Sequence, residues 1–321
     1  MKPFRWQDGE RLIRFEPGAG RHAWTDAHLL TTERALAEIP DEVRESAAGV
    51  HHVPRGGVPE AAAALVSELG GGRIVAWGGG RVIDTAKAVA QARRVEVCAV
   101  PTTLSGAEMT RGGRPVPGYE SEPRSRPALV LADPAAMQSA SFEWLRLSAM
   151  NALAHAAEAL VTTAANPVAS MAALRGAALL AQGIEQPAPP GRLALGSLLS
   201  AYAMDSAGYA LHHVLCQTIV RMAGSDHAAT NACMLPFTLD ALAAIDARPM
   251  RELAQALGTE LEGLHDRVSR LAGGERRLSD LGVAHDVLGP VAAAAAARPD
   301  LGNLPVRPDE QDLLRVLESA W

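Results

Sequence analysis

Large aromatic side chains are scarce in this sequence. Phe, Trp and Tyr together make up 4% of it, against 48% for all hydrophobic residues. Alanine is abundant instead, so the core has to be built from Ala, Leu and Val, and side chains that small fill space only where helices approach closely. Cysteine is nearly absent. Cys98, Cys216 and Cys233 are odd in number, stand in apolar surroundings and show no CxxC spacing. That excludes a disulfide framework and predicts buried thiols in a reducing compartment. Basic charge shows no excess: the formal net charge is -6, and the arginines, which greatly outnumber the lysines, are scattered. A nucleic-acid partner would require a basic face. No window reaches the ~20 apolar residues of a membrane span, and Met1–Asp8 has no apolar signal core. No membrane partner is expected, and a cytoplasmic location is. There is no internal repeat and no low-complexity tail. The Gly-x-Gly-x-x-Gly fingerprint is also missing, so a standard dinucleotide fold is not indicated.

What is present divides the 321 residues into roughly two domains. Short β-branched or alternating runs at Arg11–Glu16, Ala27–Leu30, Gly49–Val53, Gly72–Trp77, Val95–Val100 and Ala128–Ala132 read as strands. Helix-like runs at Glu33–Ile39, Val58–Leu69 and Val82–Ala92 alternate with them. That order implies βαβ units and a mainly parallel sheet. Residues 111–127 read as an exposed hairpin or loop. From about Ala140 the strands stop and Ala/Leu-rich helical runs take over: Phe142–Val161, Pro167–Gln182, Leu193–Met222, Asp226–Ala244, Pro249–Leu257, Leu261–Leu271, Val287–Arg298 and Glu310–Ser319. Leu235-Pro236 reads as a stop signal. The expected organisation is an α/β domain over 1–139 and an all-helical domain over 140–321.

Two places carry chemistry. Gly78, Gly79 and Gly80 end one strand and open the next helix, where bare backbone N–H groups and the positive end of the helix dipole suit a phosphate. Arg81 follows, and Asp84 and Lys87 lie one turn apart on that helix. Thr102, Thr103 and Ser105 end the adjacent strand, with hydroxyls in reach of the same ligand. The second place is the histidine-bearing run Ala210–His227, together with Met150–Glu158 upstream. Asn151 and His155 share one helix face, as do His213 and Gln217. His227 is expected to open a new helix behind a Ser225 or Asp226 cap. The two runs are expected to meet and form a polar pocket, because three histidines on Ala/Leu helices cost burial free energy unless they have partners. His51, His52, His212, His265 and His285 read as ordinary hydrogen-bonded residues. His/carboxylate pairs at i, i+4 are what a divalent metal uses on helices. Here Asn151 and Gln217 occupy two of those positions and are poor ligands. Any metal would fall to His155, His213 and His227.

Gly78-Gly-Gly-Arg-Val-Ile-Asp-Thr-Ala-Lys87 resembles the GGGSxxDxAK segment of the iron-containing (group III) alcohol dehydrogenases. Pro101-Thr-Thr-Leu-Ser-Gly-Ala-Glu-Met-Thr110 resembles their PTTxxxGSExT loop, and Asp133-Pro134 their DP. Met150-Asn-Ala-Leu-Ala-His155 and Leu211-His-His-Val-Leu-Cys216 are most similar to the maleylacetate reductase branch, which reads MNAxAH and LHHKLCH. The resemblance implies a dehydroquinate-synthase-like architecture, with a nucleotide-binding α/β domain, a helical domain and an active site in the cleft between them. It implies NADH or NADPH, a homodimer, and hydride transfer to a small enone or keto-acid substrate without a metal. It also implies roles for His155, His213 and His227, with Asn151 and Gln217 as neutral hydrogen-bonding groups. In the metal-using branch the ligands would fall on positions 151, 155, 213 and 227. This chain departs from the pattern at Gln217, where His is usual, and at Arg81, where Ser is usual. It departs again at Asp226-His-Ala-Ala-Thr-Asn-Ala-Cys-Met-Leu-Pro-Phe237 in place of PHAETHxxxLPH, which removes polar groups at 229, 231 and 237. Arg111, Arg114 and Arg221 are the candidate partners for a substrate carboxylate. Two other readings fit the same residues: a metal-dependent alcohol dehydrogenase, and a non-redox cyclase, lyase or isomerase on the same fold.

Overall fold

The computed structural model describes residues 4–21, 24–111, 113–187 and 191–321, except for the side chains of residues 4–8. The chain forms two compact units, Met1–Ala140 and Ser141–Trp321.

The first unit is a seven-stranded sheet. Its strands are β1 (Phe4–Asp8), β2 (Arg11–Phe15), β3 (Ala27–Thr31), β4 (Gly49–His52), β5 (Arg73–Gly78), β6 (Val97–Pro101) and β7 (Leu129–Ala132), in the spatial order β1-β2-β7-β6-β5-β3-β4. Every pairing is parallel except β1 with β2. The helices are α1 (Glu33–Leu36), α2 (Asp41–Ser46), α3 (Val58–Glu68), α4 (Gly80–Arg93) and α5 (Pro134–Met137). A parallel sheet must be covered on both faces, and β5 shows how. Its Ile74 and Ala76 pack into the cluster under α3 and α4, while Val75 and Trp77 pack into the cluster with Ile39 and Val43. The sequence pattern did not separate β1, α2 or α5 from the loops around them, because each is very short. Helix α4 starts at Gly80, two residues before the expected Val82, so a glycine lies inside its first turn.

The second unit is helical: α6 (Phe142–Val161), α7 (Pro167–Glu185), α8 (Arg192–Ala207), α9 (Leu211–Ala223), α10 (His227–Ile245), α11 (Ala247–Ala256), α12 (Leu264–Leu271), α13 (Leu288–Ala296) and α14 (Glu310–Ala320). The close approach that an Ala-rich core requires is visible where α7 meets α8. A Cβ on Gly176 would lie 3.0 Å from the Gly196 carbonyl oxygen, and one on Gly196 would lie 3.0 Å from that of Gly176. The two helices therefore touch backbone to backbone.

Three expectations are corrected. The run Leu193–Met222 is two helices. The chain breaks at Gly208, which has φ 84°, and restarts after Ala210, because a buried carboxylate takes the backbone N–H groups at the restart. Leu235-Pro236 does not stop a helix: Pro236 lies inside α10. Residues 230–239 are buried on all sides, and that packing offsets the roughly 3 kcal/mol a mid-helix proline costs. Two helices, α7 and α10, are long and apolar enough to cross a membrane by length and composition. Half of the α7 window and 67% of the α10 window are buried by neighbouring helices. An apolar core helix of this length passes the same test as a membrane span.

Candidate active site

The C-terminal ends of β5 and β6 carry the first group of candidate residues, the usual place for a ligand in an open α/β sheet. Gly78 ends β5, and its carbonyl accepts from the Thr102 N–H at 3.0 Å. Gly79 caps α4 without any side-chain hydrogen bond, so the N–H groups of the first turn point out unsatisfied. The glycines are set by the loop beside them. A Cβ on Gly79 would sit 2.9 Å from Thr103 Cγ2, and one on Gly80 would sit 2.8 Å from Ser105 Cβ. The Thr103 hydroxyl is buried and has no partner. Arg81 turns its guanidinium to the Pro54 carbonyl beyond β4. Lys87 is buried, and its ammonium donates to Ala107 O at 2.9 Å and Thr110 O at 3.0 Å and pairs with Asp84 at 2.7 Å. Arg11 reaches the same loop from β2, donating to Glu108 O at 2.6 Å and Met109 O at 3.2 Å. Lys87 and Arg11 thus clamp the loop that Gly79 and Gly80 rest on. An open recess lined by Thr25, Asp26, Gly72, Arg73, Val95 and Glu96 lies at the other end of these strands and holds none of these groups.

The second group meets within the helical unit. His155 on α6 and His213 on α9 stack, with ring centroids 4.8 Å apart and planes 18° apart. Both are nearly buried, at 4% and 5% exposure. Asn151, one turn before His155, places its amide nitrogen 3.3 Å from His155 Nε2. An amide N–H only donates, so Nε2 accepts and the proton sits on Nδ1. That Nδ1 is buried and has no partner. His213 Nδ1 donates to Oε2 of Glu158. Glu158 is wholly buried, and its Oε1 accepts from the backbone N–H of Ala210 at 3.1 Å and of His212 at 2.6 Å. One carboxylate therefore both caps α9, whose N-cap Ala210 has no side-chain acceptor, and orients His213. The far nitrogen of His213, Nε2, is buried and unpartnered.

Charge follows from this geometry. Burial alone would raise the Glu158 carboxyl, but His213 and His212 and the backbone N–H of His212 hold it below its usual range. His155 is pushed well below the ordinary imidazole value, by burial first and then by His213. It stays neutral.

The remaining histidines separate. His212 is fully buried and satisfied at both ring nitrogens, by Thr238 Oγ1 and Asn231 Oδ1, each at 2.9 Å, and burial lowers it to about 4. His227 opens α10 behind the Asp226 cap, as expected, but is exposed. Its Nε2 lies 3.3 Å from the Asn231 amide. Asn231 thus bridges His212 and His227, so position 231 has not lost its polar function. Gln217 accepts at Oε1 from Arg298 at 3.2 Å. Arg221, Arg111 and Arg114 are exposed. All three cysteines are buried and unpaired, and burial pushes the Cys98 thiol up to about 11 and Cys233 to about 12. Glu158 and Arg298 are the groups the motifs do not single out. Glu158 carried a signal, since 151, 155 and 158 lie on one helix face. Arg298, 81 residues from Gln217, carried none.

Residues 147–321 match the model of the Fe-containing alcohol dehydrogenase family's C-terminal domain, and residues 20–113 match that of iron-containing alcohol dehydrogenase. The chain is 30% identical to the maleylacetate reductase of Sphingobium indicum over 99% of its own length and 95% of that protein. The chain belongs to the iron-containing alcohol dehydrogenase family. It is an oxidoreductase of the maleylacetate-reductase-like branch. Its identity to the maleylacetate reductase of Pseudomonas knackmussii is 32%, over 84% of this chain and 79% of that one. The crystal structure of maleylacetate reductase from Agrobacterium tumefaciens superposes with a TM-score of 0.82 at 28% identity, covering 100% and 99% of the two chains. As an iron-containing alcohol dehydrogenase relative, the chain is notable for its donor set: among the described residues no group of three His, Cys, Asp or Glu side chains could hold a metal ion.

Proposed function

We propose that this oxidoreductase is an NADH- or NADPH-dependent reductase of an enone or keto-acid substrate, and that His213 is its proton donor. The observation that carries the reading is the buried, unpartnered Nε2 of a histidine whose Nδ1 is held by a buried carboxylate. Bound reduced nicotinamide supplies a hydride to the substrate. The uncapped first turn of α4, the glycines and the orphaned Thr103 hydroxyl fit the anionic part of such a cofactor. Arg81, turned to Pro54, leaves that turn clear. Lys87 and Asp84 act on the loop and not on the ligand.

In the helical unit the substrate carbonyl oxygen accepts from His213 Nε2–H. As negative charge develops on that oxygen, the proton passes from Nε2 to it, and Glu158 stabilises the imidazolium before transfer. His155 remains neutral, stacked on His213, and its Nδ1–H is a second donor for the same oxygen. Asn151 fixes the tautomer of His155. A resident iron or zinc does not fit these residues. Asn151 is neutral, and the Nε2 atoms of His155 and His227 already face amide nitrogens.

The test is oxidation of NADH and NADPH against a panel of enones, 2-oxo acids and simple alcohol/aldehyde pairs, with His213→Gln as control. Cofactor-dependent reduction of carbonyl substrates that falls at least about a hundredfold in the variant supports the reading. Binding of neither NADH nor NADPH overturns it.

A further inference from the structure

The guanidinium of Arg298 has one satisfied edge and one open end. Its Nε and Nη2 donate to Oδ2 of Asp300 at 3.1 and 2.8 Å, and Nη2 also donates to Gln217 Oε1 at 3.2 Å. Nη1 is buried and has no partner. A buried guanidinium nitrogen without an acceptor is costly, and a residue that only tied α9 to the segment 299–303 would have no need of it. Asp300 occupies the Nε/Nη2 edge and so orients the fork without covering Nη1.

The contact to Gln217 has a second effect. With Oε1 turned to the arginine, the Gln217 side chain presents its NH2 as a donor. Gln217 lies one turn beyond His213 on α9, and the Tyr209 ring packs 5.4 Å from the His213 ring. Burial, followed by the Asp300 carboxylate, raises that Tyr209 hydroxyl, whose proton is turned to Asp300. Nη1 of Arg298 and the amide of Gln217 are two donors next to the proton-donating histidine, with no anion of this chain on them. A planar two-oxygen acceptor satisfies such a pair best.

We propose that Arg298 and Gln217 form the seat of a substrate carboxylate and so make this enzyme selective for anionic carbonyl compounds. Nη1 and the Gln217 NH2 donate to the two carboxylate oxygens, and Asp300 holds the guanidinium in place. This rests on the reading of His213 as the site of the substrate carbonyl. An imidazole at position 217 would offer no oxygen to the Arg298 Nη2, so the glutamine and the arginine work as one unit.

The experiment uses the full chain, wild type and Arg298→Lys, Arg298→Met and Gln217→Ala, with thermal melts to confirm folding. Arg298→Lys keeps the charge and the fold while removing the fork. Succinate, an unreactive dicarboxylate, is titrated by calorimetry, and KM and kcat are compared for a 2-oxo acid and its methyl ester. The expected result is succinate binding weakened roughly 10–100-fold in each folded variant, with the acid's KM rising by a similar factor. The ester's KM rises less than the acid's in every folded variant, so the acid/ester preference in kcat/KM falls by at least about tenfold. Absence of succinate binding to the wild type, or binding and acid/ester preference unmoved by the folded variants, overturns the seat. Arg298-dependent succinate binding in a protein that oxidises neither NADH nor NADPH upholds the seat and overturns the reductase reading instead.

Discussion

Replacing Glu158 by glutamine separates the two tasks of one carboxylate. Oε1 caps α9 through the N–H groups of Ala210 and His212, and Oε2 accepts from His213 Nδ1. Glutamine keeps a carbonyl oxygen for the cap and puts an NH2 where Oε2 was. An NH2 cannot accept from Nδ1–H, so the imidazole must move its proton to Nε2 and accept at Nδ1. A hydrogen bond to a charged group contributes roughly 1.5–3 kcal/mol and a neutral one about 1. The stability loss should therefore be about 1–2 kcal/mol, or roughly 2–8 °C in Tm for a unit of this size. The loss of activity should be far larger. Without the anion the imidazolium is no longer stabilised, and kcat should fall by about 10²–10⁴, while NADH or NADPH affinity, measured by fluorescence, stays within about twofold.

The acid limb is a second readout. The folded Glu158 carboxyl is held below its usual range. Its contribution is therefore present above the unfolded carboxyl value of about 4.3 and is lost as pH falls through the lower folded value. Wild type and Glu158→Gln should differ in Tm at pH 7 and converge towards pH 3. A variant that loses Tm but keeps kcat within about threefold would show that Glu158 is a helix cap alone and that His213 acts without it.

Glu108 gives the opposite sign. It is wholly buried, no other side chain bonds its carboxyl, and burial, opposed in part by its own backbone N–H and by Lys87 and Arg11, raises it to about 7. The stability it contributes is full below the unfolded value of about 4.3 and is lost as pH rises through the folded value, so Glu108→Gln should gain roughly 3–4 kcal/mol at pH 8 and less than about 1 kcal/mol at pH 4.5; denaturant melts at the two pH values decide it, and equal gains would refute it. Gly80→Ala puts a methyl group 2.8 Å from Ser105 Cβ, which must displace the loop. Cofactor Kd should rise at least about tenfold, on the order of 1.4 kcal/mol, while succinate binding in the helical unit is unchanged. Asn151→Asp combined with Gln217→His adds a carboxylate beside His155 and an imidazole beside His213. That variant should take up Zn²⁺ where the wild type does not, as measured by elemental analysis after dialysis, and no uptake would show that these side chains do not converge.

Spacing made much of this molecule readable. The alternation of strand-like and helix-like runs implied the parallel sheet, and the i, i+4 pairs put Asn151 with His155 and His213 with Gln217 on shared faces. Where the reading stopped, the cause was a long-range polar contact. The break between α8 and α9 has a local glycine, Gly208, but its restart depends on Glu158, more than fifty residues earlier. The helix-like run Leu193–Met222 gives no sign of a carboxylate arriving from another helix. Pro236 misled for the reverse reason, since burial of residues 230–239 on every side overrides a local stop. The same holds for chemistry. A pattern of histidines shows which rings share a face, but not which nitrogen is already bonded. His212 and His213 are adjacent in sequence and of one type, yet His212 is satisfied at both nitrogens and His213 at only one. What distinguishes the inert ring from the reactive one is set by Asn231, Thr238 and Glu158, on two other helices. The departure at position 217 follows the same logic. Beside a glutamate, glutamine would turn its NH2 to that carboxylate and have no free donor. Beside Arg298 its oxygen is committed, its NH2 is released, and a lost imidazole becomes a donor that an anionic substrate can use.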